Sequence, residues 1–148
     1  MKLLLDTNAL IDLVTPRPPY DQAIRKLVIA SVFGDVQLWV STQSYADAYY
    51  VLRKHSPEKT VKEALATTLD FFLPCGTYPA DLVGALESDW PELEDYLIAY
   101  SSKHIKADYL ITRDRGMTGR SPIPAMDADA FLTYLEQEHG LVYEDITF

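Results

Sequence analysis

The sequence predicts an α/β fold: a central parallel sheet of four to five strands with helices on both faces. Three observations predict it. Short apolar runs alternate along the chain with longer segments of helical periodicity, the order that parallel strands joined by crossover helices require. The runs, such as Leu3-Leu4-Leu5, are uniformly apolar, as strands covered on both faces are. The length of 148 residues suits one domain, which at this size buries roughly 70% of the surface of its unfolded chain.

The elements follow in order. Lys2 to Leu5 reads as a buried strand ending at Asp6, and Asn8 to Val14 as a helix with Leu10, Ile11 and Val14 in step. Pro16-Arg17-Pro18-Pro19 is a stiff loop, because proline cannot continue a helix. Asp21 is expected to cap a helix running to about Phe33, with Ile24, Leu27 and Val28 on one face. After a turn at Gly34-Asp35, Val36 to Val40 is a second strand, and Ser41 caps a helix to about Lys54. Ser56-Pro57 reads as an N-cap with proline at the first helical position, opening a helix to about Phe72. Pro79 to Leu86 is a short helix, and Pro91 opens another to about Lys103. Tyr109 to Thr112 and Ile123 to Ala125 are the third and fourth strands. Asp127 caps a last helix closed by Gly140, and Leu141 to Phe148 reads as an extended edge segment. One domain is expected over 1–148, with its core in 1–140 and a tail in 141–148.

Composition narrows the function classes. The chain carries 22 acids against 13 bases, a net charge of −9, which argues against coating nucleic acid or an anionic membrane by general positive charge. Cys75 is the single cysteine, so no internal disulfide forms and the chain reads as cytoplasmic. The apolar run at the N-terminus is too short for a signal-peptide core or a membrane span. Charge is unevenly distributed. Residues 55–100 hold nine acids and two bases; residues 101–120 hold five bases and two acids. An acidic cluster beside a basic rim is what holding divalent cations together with a phosphodiester would need.

Four acids fall just past a strand end or in the first turns of a helix that follows a loop there: Asp6, Asp47, Asp95 and Asp114. In a parallel sheet such positions converge on the edge where ligands bind. Carboxylates held together repel, and a hard divalent cation removes that penalty. Each acid also has a plainer role open to it. Asp6 and Asn8 suit a helix cap. Asp47 suits a solvated helix face, although it is the only acid between Asp35 and Glu58. Glu92, Glu94 and Asp95 suit a helix N-terminus, which suffices for Glu92 and Glu94. Asp114 suits a turn.

The motifs Leu5-Asp6-Thr7-Asn8, Glu94-Asp95-Tyr96-Leu97-Ile98-Ala99 and Ala107-Asp108-Tyr109-Leu110-Ile111-Thr112-Arg113-Asp114, with Asp47 between the first two, resemble PIN-domain ribonucleases of the VapC-toxin type. The resemblance covers nearly the whole chain. It implies a metal-dependent endoribonuclease that hydrolyses RNA with metal-activated water, using one or two Mg²⁺ or Mn²⁺ ions. It implies that Asp6, Asp47, Asp95 and Asp114 are catalytic and hold the metal. Asp47 stands where the family more often has glutamate, and Asp114 where it often has asparagine. Asn8, Thr112 and Glu92 would be supporting residues, with Asp89 a more distant alternative to Glu92. The resemblance also implies a homodimer, and a small antitoxin whose arm reaches the acidic pocket, often with an arginine in the metal site.

Arg113, Arg115 and Arg120, spaced around Gly116 and Gly119, are candidates for RNA phosphate contacts, or else a solvated loop. Tyr45, Tyr49 and Tyr50 read as core or a dimer surface. Two alternatives stand beside the nuclease. A PIN-like module could bind RNA or protein without cutting. A haloacid-dehalogenase-type phosphatase needs Asp-x-Asp-x-Thr, but Asn8 occupies the second acidic place and cannot exchange the proton.

Overall fold

A computed structural model describes residues 1–146. Five parallel strands form one sheet in the order β3-β2-β1-β4-β5: β1 (Lys2–Leu5), β2 (Gln37–Ser41), β3 (Phe72–Cys75), β4 (Tyr109–Ile111) and β5 (Ala125–Met126). The helices are α1 (Thr7–Val14), α2 (Tyr20–Val32), α3 (Thr42–Leu52), α4 (Glu58–Thr68), α5 (Pro79–Glu87), α6 (Leu93–His104), α7 (Arg115–Arg120) and α8 (Ala128–His139). The strand order reverses direction between β1 and β4. At such a switch point the loops leaving two neighbouring strands part to opposite faces and leave a crevice at the strands' carboxyl ends.

Alternation along β1 sets the two layers. Leu3 and Leu5 join the larger core with Leu10, Leu27, Leu38, Val40, Phe131 and Leu135. Leu4 points the other way and joins Ile98, Ala99, Leu110 and Met117. All three leucines are fully buried, which is why the opening run contains no polar residue. Gly140 ends α8 in the left-handed conformation, φ 66°, which glycine adopts without a Cβ penalty.

Several elements differ from the sequence reading. The helix expected to reach Phe72 ends at Thr68, and Phe72–Cys75 is β3. Phe71, Phe72 and Leu73 extend the apolar content of the helix before them, and Pro74 speaks against a strand. The sheet accepts Pro74 because β3 is an edge strand paired only with β2. Asp21 lies inside α2, and Pro19 is the N-cap. Pro57, not Ser56, is the N-cap of α4, and α6 begins at Leu93, two residues after Pro91. The segment after Asp114, read as a loop, forms the six-residue helix α7. Residues 141–146 form no strand, and the last two positions of the expected edge segment lie outside the described residues. This segment folds back over α2: Tyr143 is buried and its hydroxyl donates to Asp35 Oδ2, while Asp145 pairs with Arg25. Among the described residues, no helix is long and apolar enough to cross a membrane.

Candidate active site

The carboxyl ends of β1 and β4 lie side by side. The backbone N–H of Asp6 donates to the Ile111 carbonyl at 3.0 Å, so Asp6 and Thr112 emerge from the sheet together. Asp6 caps α1 and is 5% exposed. Its Oδ1 accepts the Thr7 N–H at 2.7 Å, and its Oδ2 accepts the Thr112 hydroxyl at 2.9 Å. Asp114 caps α7 with Oδ1, which accepts the N–H groups of Gly116 and Met117. Its own N–H donates to Thr112 Oγ1 at 3.0 Å. Asp6 is therefore the helix cap that the plainer reading expected, whereas Asp114, read as a turn residue, caps a helix as well; capping is also what aims both carboxylates.

Asp47 reaches the same place from α3. The Thr7 hydroxyl donates to Ser44 Oγ at 2.9 Å, tying α1 to α3 one turn before Asp47. Gln43 Nε2 donates to Asp47 Oδ1 at 2.9 Å. Asp95 lies in the first turn of α6, beside the buried anchors Tyr96, Ile98 and Ala99. Asp6, Asn8, Asp47, Asp95 and Asp114 line one cavity of about 320 Å³, joined by Thr7, Tyr50, Val51 and Glu94. Five of these nine residues are acidic and none is basic.

The electrostatics follow from that crowding. Burial pushes the Asp95 carboxyl up to about 6, and the charges of Asp6, Asp114, Glu94 and Glu92 add to the rise. Asp6 is raised by burial and by Asp114, against the lowering effect of its bonds from Thr112 and Thr7 and of the Arg113 charge. Asp47 is raised by burial and by Glu94, against the bond from Gln43. Asp6, Asp95 and Asp114 thus form one repelling group, and Glu94 connects it to Asp47. The donor set fits a hard divalent cation, since all the charged ligands are carboxylates and they are mutually destabilised without one. Among the described residues, no three His, Cys, Asp or Glu side chains are already gathered around a single point. The cavity is acidic without being a closed ligand cage.

The remaining sequence candidates are placed as follows. Thr112 is buried behind Asp6 and links it to Asp114. Glu92 is exposed at the N-cap of α6 and does not line the cavity; Glu94, assigned only a helix-end role from sequence, does. Arg113 does not line the acidic cavity. Its Nη1 lies 3.1 Å from Asp12 Oδ2, and its guanidinium carbon is 3.7 Å from the centre of the Tyr20 ring. Arg120 pairs with Asp89 at 3.0 Å. Arg115 is exposed at the start of α7. Tyr45 and Tyr49 pack on the larger core, while Tyr50 is exposed at the cavity. Asp12, which sequence reasoning did not single out, is 2% exposed and accepts from Arg17 Nε at 2.9 Å.

Known proteins agree with this architecture. The model of the PIN domain family matches residues 2–116. Among solved structures, VapBC2 from Rickettsia felis bound to a promoter DNA fragment superposes with a TM-score of 0.63 at 18% identity, covering 86% of this chain and 98% of that one. VapC20 from Mycobacterium tuberculosis, a toxin that cleaves the sarcin–ricin loop, gives 0.60 at 10% identity, covering 80% and 94%. PAE2754 from Pyrobaculum aerophilum gives 0.64 at 17%, covering 93% and 90%. At these identities the likeness is one of fold. No curated protein matches the sequence.

Proposed function

The chain belongs to the PIN domain family, and on that premise we propose that it is a divalent-metal-dependent endoribonuclease, the toxin of a type II toxin–antitoxin pair acting in the cytoplasm. The observation that carries this reading is the single cavity into which Asp6, Asp47, Glu94, Asp95 and Asp114 converge with no basic residue among its walls. Asp6, Asp47, Asp95 and Asp114 would hold one or two Mg²⁺ or Mn²⁺ ions. Bound there, such an ion supplies charge compensation for the carboxylates and the phosphodiester, and acidifies a water for in-line attack.

The chain's own residues supply orientation. Thr112 and the Thr7 N–H engage both oxygens of Asp6 and fix the plane of its carboxylate. Thr112 also holds the Asp114 backbone, so one hydroxyl sets the relative placement of two acids. Arg115, exposed beside Asp114, would contact a phosphate along the RNA strand. A homodimer and a small antitoxin carrying a basic side chain into the acidic cavity belong to the same proposal, and the toxin–antitoxin assembly named for the Rickettsia felis neighbour supports it.

The test is cleavage of single-stranded RNA and of a sarcin–ricin-type loop with Mg²⁺ or Mn²⁺. Activity is expected with either ion, and it is lost with EDTA and in Asp6→Asn. Cleavage without metal, or full activity in Asp6→Asn, overturns the proposal. One observation favours a second reading, a PIN module that binds RNA without cutting: no three acidic side chains are gathered around one point among the described residues. RNA binding with no turnover in any metal would select it.

A further inference from the structure

A second cavity adjoins the acidic one and shares Asp6 and Asn8 with it. We propose that it is a nucleobase subsite, which takes guanine in preference to uracil from the nucleotide next to the phosphodiester held at Asp6. The placement beside a scissile bond rests on the nuclease reading; the base recognition does not.

The cavity has the parts that base recognition needs. Tyr20 and Arg113 form a stacked pair, 3.7 Å from ring centre to guanidinium carbon. Tyr20 keeps 47% of its surface exposed, although its neighbours Asp21, Ala23 and Ile24 are buried. An exposed tyrosine stacked on arginine is a platform for a flat ring. Asp12 holds Arg113 in place from inside the fold, at 3.1 Å, so the platform is ordered before any ligand arrives and little entropy is lost on binding. Ile24 and Ile111 give the cavity apolar walls. Its space is about 70 Å³, enough for the edge of a ring, with the sugar and phosphate left outside.

Its polar groups choose the ring. Asp127 and Asp129 line it. Asp127 Oδ1 is occupied in capping α8, accepting the Ala130 N–H at 2.7 Å; Asp129 is exposed in the first turn. These carboxylates repel a phosphate and accept from N–H donors. Guanine presents two adjacent donors, N1–H and N2–H, which one carboxylate can accept together, whereas the uracil edge carries a single N–H between two carbonyls. Arg113 turns its buried Nη1 to Asp12 and keeps 29% of its side chain exposed. It is the one basic residue lining the cavity, and a guanidinium is the kind of donor that the guanine O6 and N7 acceptors take.

The experiment is a nuclear magnetic resonance titration of the full chain in Mg²⁺ with guanosine and uridine 5′-monophosphates, followed at the Tyr20 ring, the Arg113 side chain and the Ala23 and Ile24 amides. Guanosine monophosphate is expected to shift these signals and to bind about fivefold or more tightly than uridine monophosphate, the discrimination of one good bidentate contact. Tyr20→Ala, an exposed change, is expected to abolish the shifts at Ala23 and Ile24. Asp129→Asn is expected to reduce the preference for guanine. Equal binding of the two nucleotides, shifts that survive Tyr20→Ala, or stronger shifts from N-acetylarginine amide than from guanosine monophosphate would each overturn the proposal; the last would mark the cleft as a socket for a protein side chain. Nucleotide binding without RNA cleavage would remove the nuclease reading and leave the subsite. Cleavage without guanine preference would do the reverse.

Discussion

The hydroxyl of Thr112 donates to Asp6 Oδ2 across 2.9 Å, joining the residue after β4 to the residue after β1. The same oxygen accepts the backbone N–H of Asp114 at 3.0 Å. A side chain of three heavy atoms therefore sets the separation of two acids 108 positions apart in sequence. Thr112→Val keeps the shape and removes both bonds. The expected result is a fall of about 10- to 100-fold in cleavage rate or metal affinity, the usual effect of losing an outer partner of a ligand. The cost in stability is about 1–3 kcal/mol, because a buried carboxylate oxygen loses its donor. Single-turnover cleavage, Mn²⁺ titration calorimetry and urea unfolding check the three quantities.

Glu94 and Glu92 test whether the cavity, and not the helix end, is what matters. Both are acids at the start of α6, where negative charge favours the helix. Only Glu94 lines the cavity. Glu94→Gln is expected to weaken Mn²⁺ binding about tenfold, in the range for outer-shell partners. Glu92→Gln is expected to leave it within about twofold, since an exposed charge acts weakly through water. Equal effects of the two changes would show that general charge on α6, and not the cavity wall, governs binding.

This pair also shows where sequence reasoning stops. Asp6 and Asp114 were legible because Asp6 directly follows an apolar run and Asp114 comes three residues after one, and the carboxyl edge of a parallel sheet is where such residues collect. Glu94 was not. Its neighbours give it a sufficient role at the helix end, and its relation to Asp47 depends on how α3 packs against α6. β3 was masked by the apolar run Phe71-Phe72-Leu73 and by Pro74, which only an edge strand tolerates. α7 was masked by two glycines in six residues, a composition that propensity assigns to a loop; Asp114 forms it by capping. Asp12 left little local trace: its partner Arg17 lies five positions on, across the turn that ends α1, and its second partner Arg113 about a hundred positions away.

Asp12 should prove to be a stability residue. It is 2% exposed and sits between Arg113 and Arg17. Asp12→Ala leaves both guanidiniums without their carboxylate and is expected to cost about 3 kcal/mol, the lower end for breaking a buried pair because the arginines retain some solvent. Asp12→Asn keeps an acceptor and should cost less. Chemical denaturation of both variants measures the difference.

The segment after Gly140 is expected to belong to the folded unit. Tyr143 is 9% exposed within the larger core, and Asp145 pairs with Arg25, which also pairs with Asp21. Tyr143→Ala is expected to destabilise by about 3 kcal/mol, as large-to-small core changes do. Truncation after residue 140 should cost at least as much, and thermal unfolding of both chains checks it.

The acidic cavity makes stability depend on pH in a direction opposite to that of most acid-rich proteins. The Asp95 carboxyl is raised to about 6 by burial and by its acidic neighbours, and Asp6 and Asp47 are raised as well. A group whose folded pKa lies above its unfolded value binds more protons in the folded state. Its contribution is fully present below the unfolded value near 3.9 and is lost as pH rises through the folded value. Without metal, the protein is therefore expected to lose stability between about pH 4 and pH 6, and to melt at a lower temperature at pH 7.5 than at pH 5. Asp95→Asn removes one repelling charge and should raise the melting temperature of the metal-free protein at pH 7.5 while changing it little at pH 4. Mg²⁺ should do the same for the unaltered chain, because a cation that binds the folded state to deprotonated carboxylates stabilises it by mass action. Melting curves at the three pH values, with EDTA or Mg²⁺, measure each of these differences. A metal-free melting temperature that rises from pH 5 to pH 7.5 would show that the carboxylates do not crowd one another in solution.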